Sequence, residues 1–203
     1  MEATRDFALG RYEFGRLGPA RWTWWLAAAM ALVAGISAAD ATSFASQLRS
    51  TFFWATWLIA VPIAAAVADH PEARAREEGV VALGELAGLS PRQRGVGSFA
   101  VAIFETSARM LLPLLTVALT ALVRAPSASA MKGLLGVVLA SLGAAALLLG
   151  TAWVCGHVAE DRGRRLWWAV LLLPWVLSRR LPLDISLVGG LERLAVRLLG
   201  GVA

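Results

Sequence analysis

Glu105 and Arg109 lie inside the apolar run FAVAIFETSARMLLPLL, residues 99–115. Four residues apart on a helix, with the glutamate first, they share a face in the order that favours an ion pair. If hydrocarbon begins near Val96, nine residues at 1.5 Å each put Glu105 roughly 13 Å deep. Charges at such a depth are expensive and face a protein interior or a water-filled path. Two roles are therefore open: a polar element of a translocation path or subunit seam, or a self-neutralised pair inside a helical bundle. Pro113, one turn on, can kink the helix and give it two arrangements.

Other reactive residue types are sparse. Asp69, His70, Cys155 and His157 have side chains that could bind zinc. They fall at the ends of apolar runs, however, where polar residues are ordinary and histidine suits the negative end of a helix. No metal site is assigned. No serine, cysteine or histidine arrangement resembles an activated nucleophile. The only lysine, Lys132, stands outside any glycine-rich phosphate loop. The chain is read as non-enzymatic, with no catalytic site and no cofactor of its own.

The elements that must hold these residues are membrane helices. The 203 residues are 58% hydrophobic and 16% charged, with a mean hydropathy of +0.66, against about 25% charged in a soluble domain. Residues 22–39, 52–68, 99–123 and 131–155 each approach the roughly 20 residues that cross about 30 Å of hydrocarbon. A fifth run, 166–178, is short and carries Pro174; it spans only by thinning the bilayer or recruiting residues after Arg180. Residues 22–39 have the flank and small residues of a signal peptide, but are read as a true first helix. After Asp184, Leu187, Leu191, Leu194 and Leu198 form a stripe interrupted by Glu192, Arg193 and Arg197. This pattern is more like an interfacial amphipathic helix than a sixth crossing.

The expected fold is all-α: one transmembrane domain over residues 1–203, a bundle of five or six transmembrane helices. It has an amphipathic amino-terminal helix over 1–21, a cytoplasmic helix over 76–90 and an amphipathic segment over 184–203. Eleven arginines fall in the amino-terminal tail and the 69–98 and 156–165 loops, against Arg49, Arg124 and Lys132 on the alternate side. That asymmetry places the amino terminus in the cytoplasm. The net charge of +5 is matched by anionic headgroups and needs no nucleic acid. Trp22, Trp24, Trp25, Trp153, Trp167 and Trp168 fall at cytoplasmic helix ends, as an aromatic belt. Gly133, Gly136, Ala140, Gly143 and Ala144 line the fourth run at spacings of three and four, permitting close helix packing within the subunit or between copies. Cys155, alone, excludes an intrachain disulfide.

Between the second and third runs stands REEGVVALGELAGLSPRQ, residues 76–93. Ser90, Pro91 and Gln93 have the form of a capped helix start. Before them, Val80, Val81, Leu83, Leu86 and Leu89 form an uneven apolar stripe, with Glu77, Glu78 and Glu85 exposed. Gly79 and Gly84 each weaken such a helix by roughly 1 kcal/mol against alanine, so it needs a surface to dock on.

These residues, together with ALGRYEFGRLGPARW at 8–22, resemble the membrane subunit of type-2 ABC exporters. The resemblance implies that 76–90 is the coupling helix, docking through Glu77, Glu78, Gly79, Leu83, Glu85 and Leu86 on a separate ABC ATPase. It implies that ATP and Mg2+ belong to that partner, that a second permease copy or a related permease completes a dimer, and that the site of action is a prokaryotic inner membrane. The family has six spans, and the short carboxy-terminal half departs from that pattern. The alternative is a non-transporting scaffold that assembles a larger membrane complex. An ion- or proton-coupled carrier around Glu105 is weaker, for no inverted repeat or broken helix pair is evident in the sequence.

Overall fold

The computed structural model describes residues 2–39, 43–69, 79, 82, 85, 86, 88, 90–124, 128–159, 162–178 and 187–199. Among them the chain is all-α, without a strand. Helix α1 (Glu2–Arg16) leads into α2 (Gly18–Ala39) through a single bend at Leu17. Pro19 has no N–H to donate, which a helix tolerates only in its first turn, so the break falls there. The second long helix is composite: α3 (Phe44–Ala55), a π segment (Thr56–Ala60) and α4 (Val61–Val67). Then come α5 (Pro91–Arg124), α6 (Ala128–Val158), α7 (Gly163–Ser178) and α8 (Leu187–Leu199).

Four helices among the described residues are long and apolar enough to cross a membrane: Gly18–Ala39, Phe44–Val67, Gly95–Arg124 and Gly133–Val158. The protein is therefore a multi-pass membrane protein by length and composition. The second of these starts eight residues before the apolar run suggested. Ser43 caps it, accepting a hydrogen bond from the Ser46 N–H at 3.4 Å, and Leu48 and Thr51 are buried. The π segment precedes Pro62, which cannot donate to the Leu58 carbonyl; the Val61 N–H instead bonds Thr56, five residues back.

The core is built around α5, which packs on α1, α2, α3 and α6. Alanines at 20, 27, 34 and 38 of α2 and at 140, 144, 145 and 152 of α6 are buried, so the helices approach closely through small side chains. At one end of the bundle Gly163 abuts the Ala68 carbonyl, and a Cβ there would stand 2.7 Å from the Gly156 Cα. Trp167 is fully buried beside this junction, edge-on to Trp168, rather than in an aromatic belt.

The amphipathic segment forms α8, and its apolar stripe is buried on protein. Val188, Leu191, Ala195 and Leu199 face inward, and α8 packs on α6 and α3. Gly136 meets the Leu198 carbonyl and Gly143 the Leu194 side chain. The small-residue stripe of α6 is thus the seat of α8.

Candidate functional site

Helix α5 runs 34 residues, about 50 Å, well beyond the roughly 30 Å of hydrocarbon. Its first turns are flanked by α1 rather than by a long apolar helix. Gly10 makes this possible: a Cβ there would stand 3.0 Å from the Gly97 carbonyl oxygen and 3.1 Å from the Ser98 Cα. Beside this contact, Ser98 donates a hydrogen bond to the Glu13 carboxylate. α1 therefore lies along the amino-terminal part of α5, and α2 continues beside the remainder.

Glu105 and Arg109 stand where the two meet, and they pair as the spacing requires. Arg109 Nη1 donates to Glu105 Oε2 at 2.9 Å and to the Glu105 carbonyl at 2.7 Å, with side chains 9% and 4% exposed for Glu105 and Arg109 respectively. The pair is not closed on itself. Arg11 of α1 brings its Nε to 3.1 Å from Glu105 Oε1, while 69% of its side chain stays exposed. Arg109 Nη2 reaches the Ala20 carbonyl in the first turn of α2 at 3.4 Å. Its guanidinium lies 4.8 Å from the Phe14 ring centre and 4.6 Å from that of Trp24, both within cation–π range. One arginine thus ties α1, α2 and α5 together.

Measured along α2, the cluster is level with Ala20 and Trp24, in the first turns of that helix.

The layer is incompletely satisfied. Among the described residues, the buried side-chain polar atoms without a hydrogen-bond partner are Thr23 Oγ1, Thr106 Oγ1 and Arg109 Nε. They sit in the first turns of α2 and in the 106–109 turn of α5. Left without a partner, each such group would cost about 1–3 kcal/mol. Pro113 also leaves the Arg109 carbonyl without its helical donor.

The described residues of the candidate docking segment are not members of this cluster. Glu77, Glu78 and Leu83 are outside the described residues, as is His70. Gly79 and Gly88 hold φ of +70° and +74°, a conformation that favours glycine. The Gly88 N–H closes a turn on the Glu85 carbonyl at 2.9 Å. Glu85 is exposed, and Leu86 is 85% exposed. Asp69 pairs with Arg164 at 3.7 Å, His157 Nδ1 lies 2.8 Å from the Trp153 carbonyl, and Cys155 is buried. Among the described residues no three His, Cys, Asp or Glu side chains converge.

Arg11, Phe14 and Trp24 are members of the cluster that sequence reasoning missed. Gly10 and Phe14, four apart on one face of α1, were the available signal; Trp24 was hidden by its assignment to the aromatic belt. The chain matches no family model, no curated protein and no solved structure.

Proposed function

We propose that the chain is the transmembrane permease subunit of an ABC transporter of the exporter type, driven by a separate ATP-binding subunit. The observation that carries this reading is Leu86. Leu86, exposed on a polar segment between the second and third long apolar helices and bounded by two left-handed glycines, would be the apolar contact for such a partner. Glu85 beside it suits a basic rim. In the proposed mechanism, closure of two ATPases pushes this segment in each half of a dimer, made with a second copy or a related permease. α5 begins at Pro91, directly after the segment, and carries the push as one continuous helix past the Glu105–Arg109 cluster to the opposite end of the bundle. The polar layer between α2 and α5 is where the bundle would yield. The subunit sits in a prokaryotic inner membrane with its amino terminus in the cytoplasm.

In this reading α7 and α8 make one broken fifth crossing. Gly163 abuts α4 and α6 at Ala68 and Gly156, whereas Leu198 abuts Gly136. Twenty residues of α6 separate those two levels, about 30 Å, which is the rise such a crossing would need.

The packing of the bundle leaves a second reading. Among the described residues the four long helices pack closely through alanines, a rigid frame that would suit a scaffold anchoring a larger membrane complex. Purification of the complex from detergent, followed by ATPase and transport assays, separates the two. Leu86→Asp should leave the membrane bundle folded yet uncouple ATP hydrolysis from transport. An intact complex with unchanged substrate-stimulated turnover would remove the coupling role, and a co-purified partner lacking ATPase activity would favour the scaffold.

A further inference from the structure

Arg11 belongs to the cluster, yet most of its side chain faces outward. Glu105 takes its Nε, so the exposed part is the Nη edge, the edge that grips phosphate oxygens in pairs. The cluster as a whole holds two guanidiniums against one carboxylate. Beyond Arg11 run Gly15, Gly18, Trp22 and Trp25, at spacings alternating four and three, and all are exposed. A Cβ on Gly15 or Gly18 would meet nothing within 4 Å, so the surface beside Arg11 is open. Trp25 is 80% exposed, and exposed indoles at the start of an apolar helix sit at headgroup level. Arg21, also exposed, adds positive charge at the same level.

We infer that Arg11, oriented by Glu105, binds the phosphate of an anionic phospholipid. The headgroup lies over Gly15 and Gly18, and Trp22 and Trp25 meet the glycerol and upper acyl chains. The lipid is favoured over a soluble phosphate because the cation continues directly into exposed indoles and an apolar helix, which a free ion cannot use. Glu105 is a positioning residue here: it takes one edge of the guanidinium and turns the other outward. The inference holds whether the chain is a permease or a scaffold.

Native mass spectrometry of the full chain in detergent, with equimolar phosphatidylglycerol and phosphatidylcholine, tests it. Wild type should retain phosphatidylglycerol preferentially. Arg11→Gln should reduce that preference about fivefold, the effect of one arginine at a headgroup surface. Arg49→Gln, at the far end of the bundle, should leave it unchanged. Gly15→Leu keeps every charge and strengthens the helix, yet fills the open surface, so it should reduce retention as well. It decides the matter if Arg11→Gln does not fold. Glu105→Gln should reduce the preference by misdirecting Arg11. Inorganic phosphate in excess should not displace the lipid. Equal loss in Arg49→Gln, full retention in Gly15→Leu, or displacement by inorganic phosphate would each overturn the site.

Discussion

Arg109 meets a carboxylate, two carbonyls and two aromatic rings drawn from three helices, which makes it a fastening rather than a surface charge. Buried ion pairs are poor evidence of net stability, because desolvation offsets attraction, but removing one partner strands the other. Arg109→Ala should cost about 3 kcal/mol, the low end for such a pair, because Arg11 still answers Glu105. The double variant Arg109→Ala with Glu105→Ala should be milder than Arg109→Ala alone. Thermal unfolding in detergent, run as a double-mutant cycle, measures this; midpoints of single and double variants that all equal the wild type's would deny the pair any structural role. The pairing of Glu105 with Arg109 was legible in the sequence because four-residue spacing is local. Arg11, Phe14 and Trp24 were not, because Ala20 and Arg109 meet across 89 residues and only tertiary packing brings such positions together.

At the scale of elements, what the sequence announced best was a start and a seat. Ser90-Pro91 predicted the beginning of α5, which indeed starts at Pro91. The small residues of α6 predicted a close helix contact without naming its occupant, since any helix can use such a groove. The beginning of α3 was hidden because Gln47, Arg49 and Ser50 depress local hydropathy; capping by Ser43 and burial of Leu48 decide it instead. The seat gives a test. Gly136→Ala puts a methyl against the Leu198 backbone, an overpacking that should cost about 1–3 kcal/mol and expose α8 to limited proteolysis. Gly15→Ala, with open space around it, should instead stabilise slightly. Equal protection of α8 in both variants would mean that Gly136 is not its seat.

For the whole molecule, four long apolar helices were legible from composition and length, whereas the stacking of α7 on α8 was not, because each is too short to register in a membrane window. The arginine asymmetry and the proposed broken crossing together make a testable statement about sides. With buried Cys155 replaced by serine, cysteines at Ala8 and Glu85 should be labelled only from the cytoplasm. Those at Ser43 and Arg197 should be labelled only from outside; accessibility of position 197 from the cytoplasm would deny the crossing. The seat on α6 then acquires a meaning in time. Neither α7, at 16 residues, nor α8, at 13, reaches the roughly 20 residues that let a helix enter a bilayer unaided. If α7 and α8 form the proposed crossing, α6 must already stand in the membrane, as the chain leaves the ribosome, before they can close against it. The order of synthesis becomes an order of assembly. A chain stopped after Val158 should already hold its four long helices in place. In a chain carrying Gly136→Leu, residues 187–199 should remain on the cytoplasmic side, open to protease, while those four helices stay protected.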